Sequence, residues 1–334
     1  MDGIRPEWVE QITEEVIDPD RAIVDPHHHL FPPGFVLEYG LDELRGDTGC
    51  GHRVVATVFV ECHACYRQDG PEHLRPVGET EFVASAAAEL RRDTPAAAPI
   101  AGIVAHADLR LGDRTAEAID AHEQAGNGLF RGIRHAGSHA LEPESLLIPG
   151  RAPRDLYRNP SFQEGVRELG RRGLTYDTWH YHYQNRDFAA LARAAPDTTL
   201  ILDHLGTPLG VGSFAGRRDE IFVQWKSDIA EIARCENVVA KIGGLAMPDN
   251  GFGWHTADRP PTSDEFIEAQ GRYYEHMIDC FGPDRCMFES NFPVDKLSLA
   301  YGVLWNAFKK MTSAFSEAER DAMFSGTAKR VYRL

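Results

Sequence analysis

Residues 21–29 read RAIVDPHHH, and the order of residue types in this stretch indicates the fold. A short apolar run ends in an aspartate and three consecutive histidines. Near-continuous apolar runs of this length are typical of strands in a parallel sheet, which are buried on both faces. Alternate side chains of a strand share a face, so His27 and His29 are expected to point together and His28 to point away. Two imidazoles on one inward face can bind a single divalent cation.

Seven further runs of the same kind follow at intervals of a few tens of residues, and stretches with helical spacing of apolar residues lie between them. The pattern favours a (β/α)8 TIM barrel over a doubly wound sheet, and no glycine-rich phosphate turn follows any run. We expect a single domain over residues 1–334, with an N-terminal extension to about residue 20 and long loops over the barrel mouth. The seven runs span residues 53–61, 100–108, 129–135, 173–182, 198–206, 237–245 and 285–293. The loops are expected at 30–52, 62–78, 136–160 and 246–263.

The composition limits the kinds of molecule that the protein is expected to bind. The chain is 43% apolar and carries a formal net charge of −16, which disfavours nucleic acid or an anionic membrane surface as the main partner. Its apolar runs are shorter than the roughly 18 residues of a membrane span, and the first residues are polar and acidic. These features predict a cytoplasmic protein that acts on a small molecule.

Polar side chains end nearly every apolar run. In a TIM barrel the carboxyl ends of the strands meet at one mouth, so these side chains are expected to surround a ligand there. A third metal ligand, after His27 and His29, would come from a distant strand, with His180 or His182 on the fifth and His204 on the sixth as candidates. The residues at the run ends are His27, His28, His29, Glu61, His106, Asp108, Arg134, His135, His180, His182, Asp203, His204, Lys241 and Asn291.

Five segments in order resemble the amidohydrolase superfamily, and more narrowly its amidohydrolase-2 branch, which includes sugar lactonases and 2-pyrone-4,6-dicarboxylate lactonase. The similarity extends from about residue 20 to the final TAKRVYRL. It implies a distorted barrel, metal or substrate at the strand ends, and water as the nucleophile. Barrels of this family are often homodimers, although no sequence feature decides the assembly here. The segments are DPHHH at 25–29, GIRH at 132–135, LDHLGTP at 202–208, VAKIGGL at 239–245 and ESNFPVD at 289–295.

The resemblance also implies roles for single residues. His27 and His29 would bind the metal together with a fifth-strand histidine, for which His182 is favoured over His180. His204 would polarise the substrate or transfer a proton. The family's water-activating aspartate on the eighth strand is matched by Asn291, whose amide cannot accept a proton at neutral pH. A bound Zn2+ or other divalent cation is therefore expected to be optional. Either His204 or a carboxylate is expected to act as the base, with Glu61, Glu289 and Asp295 as the candidates by sequence position.

Five further residues are expected to contact the substrate. Arg134 is assigned to a substrate carboxylate or oxyanion, with a salt bridge to a neighbouring helix as the alternative. Lys241 lies in an apolar strand, where cationic neighbours would lower its pKa. His135 and the fifth-strand His180 are placed beside the substrate, and His255 on the loop after the seventh strand is expected to close over it.

These features together predict a hydrolase that opens a lactone or a related cyclic ester or amide by attack of water. The substrate would be a sugar aldonolactone or a pyrone-type ring. Two alternatives remain at this stage. One is a zinc-dependent non-oxidative decarboxylase, against which Asn291 counts. The other is a barrel that binds a small molecule without catalysis.

Overall fold

The computed structural model describes residues 3–94 and 96–334. Eight parallel strands form one sheet in sequence order, each hydrogen-bonded to the next, and each lies within one of the predicted runs. The prediction of a (β/α)8 TIM barrel is confirmed. The strands are β1 (Ile23–His28), β2 (Val54–Val60), β3 (Ile100–Ala105), β4 (Phe130–Arg134), β5 (Thr175–Thr178), β6 (Leu200–Leu202), β7 (Val238–Ile242) and β8 (Cys286–Phe288).

An α-helix follows every strand. The six helices α3 to α8 match the helical spacing of the sequence, whereas α2 lies inside the segment 30–52 that was predicted as a loop. Within the described residues, no helix is both long enough and apolar enough to cross a lipid bilayer. The helices are α1 (Pro6–Val9), α2 (Leu41–Thr48), α3 (Val77–Asp93), α4 (Asp113–Ala125), α5 (Pro160–Arg171), α6 (Asn185–Ala194), α7 (Arg218–Ile232), α8 (Ser263–Phe281), α9 (Tyr301–Met311), α10 (Glu317–Asp321) and α11 (Thr327–Tyr332).

The barrel closes between β8 and β1 through a short seam. An isolated parallel bridge joins His28 to Phe292. The His29 N–H donates to the Phe292 carbonyl at 2.8 Å, and the Asn291 N–H donates to the His27 carbonyl at 3.0 Å. The closure is therefore irregular, and it brings the end of β1 beside the residues that follow β8.

Apolar side chains fill the lower part of the barrel. Val58, Ile201 and Met287 from the strands pack there with Val331 and Tyr332 from α11, and all are buried. Burial of this surface is the main stabilising contribution to such a core. The C-terminal helix thus closes the barrel at the end opposite to the mouth, and it leaves the upper ends of the strands free to form a site.

Candidate active site

A cavity of about 400 Å³ opens at the carboxyl ends of the strands, within the usual size of small-molecule sites. Its floor is polar and its wall is apolar. The floor residues that line it include His29, Glu61, Arg134, His204 and Asn291. The wall comes from the loops after β1, β4, β5, β7 and β8, with Phe31, Phe35, Leu147, Trp179, Met247 and Val294 among its side chains.

His204 and Glu289 form a hydrogen-bonded pair at this floor. The Nδ1 of His204 lies 2.7 Å from Glu289 Oε1, and the other carboxylate oxygen, Oε2, lies 2.8 Å from the Nδ1 of His27. All three side chains are buried. Because Nδ1 of His204 is engaged by Glu289 and His204 lines the cavity, Nε2 is the nitrogen that faces it. A histidine held in this way can accept a proton through Nε2.

The backbone after β6 and two glycines after β7 make room for this pair. His204 and Leu205 have φ of 54° and 57°, a left-handed conformation that side chains with a Cβ adopt rarely and that often marks functional sites. A Cβ at Gly243 would contact the Glu289 side chain, and a Cβ at Gly244 would overlap the His204 ring. The GG in VAKIGGL is therefore explained by the close approach of His204 and Glu289.

Arg134 is fixed by Glu61. The Nε of Arg134 donates to Glu61 Oε1 at 2.7 Å, one Nη donates to the Glu61 carbonyl, and the other lies 3.3 Å from His27 Nε2. A guanidinium has five N–H donors, so two remain for a ligand in the cavity. The salt bridge foreseen for Arg134 exists, but its partner is the carboxylate at the end of β2 rather than a helix residue.

Lys241 lies below the floor, in the interior of the barrel. Its ammonium donates to Asp177 Oδ2 at 2.9 Å, lies 3.2 Å from Asp203 Oδ1, and lies 3.3 Å from His27 Nδ1. The side chain is fully buried and does not line the cavity. Lys241 thus does not contact a ligand in the cavity; it contacts His27, whose ring centroid lies 4.6 Å from that of His204.

Burial and neighbouring charges set the protonation of these groups. Burial lowers the pKa of His204 to about 3, so its imidazole is neutral at physiological pH. Burial opposes ionisation of Glu61, but the positive charge of Arg134 lowers its pKa to about 2. Burial likewise opposes the charge on Lys241, yet Asp177 and Asp203 raise its pKa above the ordinary value. The expectation of a lowered pKa for Lys241 is therefore wrong, because its neighbours are carboxylates and not only cations.

The donor set at the floor fits a divalent cation. His27, His204 and Glu289 each offer a ligand atom, and these atoms lie within 4.8 Å of one another. Two imidazoles and one carboxylate are a donor set of catalytic zinc sites. The Oε2 of Glu289 and both carboxylate oxygens of Asp203 are buried and accept no well-formed hydrogen bond, although His27 and Lys241 lie beside them, so these oxygens are available to a cation.

Asn291 lines the cavity, but its side chain is tied to its own loop. The Nδ2 donates to Asp295 Oδ1 at 2.9 Å, and Asp295 also accepts from the Ala246 N–H. Asp295 therefore holds the loops after β7 and β8 together. Of the three carboxylates named by sequence position, Glu289 is the one that contacts His204.

Four of the predicted site residues do not line the cavity: His135, His180, His182 and His255. The Nδ1 of His182 accepts from the Leu209 N–H, and its ring packs against Phe214. His180 lies between the Tyr157 hydroxyl and the Asn185 side chain. Because β5 ends at Thr178, both histidines belong to the loop that follows it, and neither lines the cavity.

His135 and His255 are also outside the cavity lining. The Nδ1 of His135 accepts from the Leu109 N–H, and its ring contacts His106 and Phe162. His255 lies on the loop after β7, where its carbonyl accepts a hydrogen bond from Arg5. Neither residue closes over the cavity in this structure.

Sequence reasoning missed how strongly carboxylates contribute to the site. Asp177 was not singled out, although an aspartate inside the buried strand TYDT must find a positive partner. Asp203 was considered only together with His204, and Glu289 only as one of three carboxylates that could act as the base. The signal available in the sequence was that each directly adjoins a short buried strand and precedes a glycine-containing or polar turn.

Sequence comparison finds a family model and named relatives that match most of this chain. A family model described as Amidohydrolase matches residues 24–334. The chain is 33% identical over 329 residues to the uncharacterised protein y4mH of Sinorhizobium fredii, an alignment that covers 94% of this chain and 99% of the relative. It is 30% identical over 242 residues to a protein named L-fucono-1,5-lactonase of Burkholderia multivorans, covering 71% of this chain and 73% of the relative.

The fold also matches solved structures. A crystal structure of an amidohydrolase from Burkholderia multivorans with bound zinc superposes with a TM-score of 0.72. The match covers 94% of this chain and 99% of that chain, at 24% sequence identity. The agreement extends over the complete barrel.

Proposed function

The chain belongs to the amidohydrolase family and is a hydrolase; we propose that it opens a lactone by attack of water at the mouth of the barrel. The observation that carries the proposal is the His204–Glu289 pair at the floor of the cavity. The name of the 30% identical relative, a lactonase, supports the substrate class. A lactone is an activated ester, so fixed cations and one base are sufficient to promote its hydrolysis.

The base in this proposal is His204. Its Nε2 takes a proton from a water in the cavity, while Glu289 accepts a hydrogen bond from Nδ1–H and stabilises the imidazolium that forms. The water oxygen bonds to the lactone carbonyl carbon. The bond from that carbon to the ring oxygen then breaks, and the proton passes from His204 to the leaving oxygen. The product is a hydroxy acid, released as its carboxylate.

Arg134 provides the positive charge for the carbonyl oxygen. Two of its N–H donors remain after Glu61 and His27 are satisfied, and the residue lines the cavity. Glu61 remains ionised and holds the guanidinium in place, so its role is to orient Arg134 rather than to exchange protons. A preorganised donor of this kind stabilises the charge that develops on the oxygen during attack.

We infer that a divalent cation is optional. An ion held by His27, His204 and Glu289 would polarise a carbonyl or a water as a Lewis acid, and His204 would then be a ligand rather than the base. The zinc in the solved relative supports the capacity to bind a cation. The charges of Lys241 and Arg134, each 3.3 Å from a nitrogen of His27, support hydrolysis without it. Asn291 adds no negative charge to hold the ion.

The decarboxylase alternative has less support in the site. A substrate carboxylate needs an unpaired cation, but Arg134 is paired with Glu61, and Lys241 is paired with Asp177 and Asp203. A cytoplasmic location and a homodimer stay predictions from the sequence and the family resemblance.

The test is acid release from δ-valerolactone and L-fucono-1,5-lactone, measured with a pH indicator. His204→Asn is expected to lower kcat by roughly 10²- to 10⁴-fold with little change in KM, because it removes the base and keeps a neutral polar side chain. His276→Asn, on the half-buried face of α8, is the matched control and should retain wild-type rates. Wild-type kcat in His204→Asn on both lactones would contradict the proposed base.

The role of the cation is tested on the same substrates with untagged protein after chelation and after addition of Zn2+. We expect activity to persist after chelation, with metal content well below one ion per chain. Complete loss on chelation, restored by Zn2+, would mean that the cation is required.

A further inference from the structure

The rim of the cavity exposes apolar side chains that the fold itself does not cover. Phe35 is 39% exposed and Val36 is 59% exposed, and both line the cavity. Single exposed apolar residues are common, but these two are adjacent and continue into the apolar wall. The wall consists of Phe31, Phe35, Val36, Leu37, the segment 147–149, Trp179, Met247 and Val294. Such a surface gains free energy when an apolar group covers it.

Most polar groups of the cavity lie at its floor, where most are already engaged; the others are the thiol of Cys62, the imidazole of His63 and the indole of Trp179. Glu61 holds Arg134, and Glu289 holds His204. The Nδ1 of His29 lies 2.8 Å from the Val60 carbonyl, which leaves its Nε2 for a ligand. These groups suffice for one ester group. A sugar lactone carries hydroxyls around most of its ring, and hydroxyls buried against the wall would lack hydrogen-bond partners.

The charge balance of the floor favours a neutral ligand. Arg134 and Lys241 contact four carboxyl groups, directly or through His27, so neither cation is left unpaired: Glu61, Asp177, Asp203 and Glu289. Among the described residues that line the cavity, Arg134 is the single arginine or lysine, and it is paired. A substrate with free carboxylates would therefore find no unpaired cation at the floor.

We propose that the substrate is a neutral lactone that carries an apolar alkyl or aryl substituent. The inference rests on the proposed lactone hydrolysis and specifies its substrate class. The ester group lies at the floor, between His204 and Arg134. The substituent lies against Phe35, Val36 and the segment 147–149, and its burial supplies binding energy that hydroxyls cannot obtain from this wall.

The first experiment compares δ-valerolactone, its 5-propyl and 5-pentyl derivatives, and glucono-1,5-lactone. Each added methylene is expected to lower KM about three- to fourfold until the wall is covered, with similar kcat. The 5-pentyl lactone should have the highest kcat/KM and glucono-1,5-lactone the lowest. A KM that is insensitive to chain length, or a higher kcat/KM for glucono-1,5-lactone, would overturn the inference while lactone hydrolysis stands. If no compound, δ-valerolactone included, is opened faster than in buffer without protein, the proposed function fails as well.

A matched pair of variants tests the position of the substituent. Val36→Ser is expected to raise KM for the 5-pentyl lactone at least fivefold more than for δ-valerolactone. Val223→Ser makes the same change at a side chain that is 67% exposed and lies on α7 outside the cavity, so it should leave both KM values unchanged. Equal effects of Val36→Ser on the two lactones would overturn the inference, because the substituent would then not contact Val36.

Discussion

Lys241 carries the positive charge in the interior of the barrel. It is fully buried and contacts Asp177 and Asp203, and its pKa is raised by those carboxylates although burial opposes its charge. A buried ion pair is balanced only while both signs are present, since the loss of one partner leaves an uncompensated charge. The lysine therefore acts as the counter-ion that allows acidic residues to stand beside His27.

Lys241→Met should thus destabilise the protein strongly. The change keeps an unbranched side chain but leaves Asp177 and Asp203 unpaired, and we expect a loss of about 3–5 kcal/mol in the free energy of unfolding. Urea denaturation at pH 7 measures it. Lys329→Met, at an exposed position of α11, is the control and should cost less than about 0.5 kcal/mol. A Lys241→Met variant as stable as this control would show that the pairs contribute nothing.

Part of this residue-scale arrangement is predictable from the sequence. Strand alternation correctly separates His27 and His29, whose rings lie 5.0 Å apart, from His28, which contacts Phe59. The pairing of Lys241 was not predictable in the same way, because its partners come from β5 and β6. Periodicity along one strand tells which face a residue occupies, but not which charges arrive from neighbouring strands.

At the scale of elements, the loop after β2 is held by one buried carboxylate. Glu79, in the first turn of α3, accepts from the Cys62 N–H at 3.0 Å and from the Ala64 N–H at 2.7 Å through Oε1. Its Oε2 has no hydrogen-bond partner. Burial, reinforced by the charge of Glu61, raises the pKa of Glu79 to about 8. The loop that brings Cys62 and His63 to the cavity therefore depends on this side chain.

Because of Glu79, the protein should become less stable as the pH rises. A carboxyl with a raised pKa binds its proton more tightly in the folded state, so its contribution is complete below the unfolded pKa and is lost as pH rises through about 8. Glu79→Gln keeps an oxygen acceptor and cannot ionise. Between pH 5 and pH 8, we expect the free energy of unfolding of Glu79→Gln to fall less than that of wild type, by on the order of 2 kcal/mol.

Thermal unfolding at several pH values measures this difference. Glu89→Gln, an exposed position on the same helix, should keep the wild-type pH dependence. Parallel pH profiles for wild type and Glu79→Gln would contradict the raised pKa.

The fifth strand shows where element prediction fails. Period-2 alternation over the run 173–182 predicts one strand with His180 and His182 on the same face, but β5 ends at Thr178 and a short 3-10 turn covers His182–Gln184. Beyond Thr178 the period-2 argument no longer applies. Both histidines then find partners among loop residues, as Tyr157 for His180 and Leu209 for His182 show. The end of a strand depends on the loops packed over it, which a single sequence does not reveal.

At the scale of the whole molecule, the two ends of the barrel are linked through buried polar groups. Tyr332 of α11 enters the barrel from below, and its hydroxyl donates to Asp177 Oδ2 at 2.5 Å. Asp177 in turn accepts from Lys241, whose ammonium lies 3.3 Å from His27. The C-terminal helix thus contributes to the position of the active-site charges as well as to the core.

Tyr332→Phe tests this link. The ring and its packing are kept, while Asp177 loses one donor in a buried site, so we expect a loss of about 1–3 kcal/mol in the free energy of unfolding. Because Lys241 and His27 are positioned through Asp177, kcat should also fall several-fold with KM nearly unchanged. Tyr183→Phe, which removes a half-buried hydroxyl bonded to the His139 carbonyl, is the control and should leave kcat at the wild-type value. A stability loss in Tyr332→Phe with wild-type kcat would restrict the C-terminal helix to a role in the core.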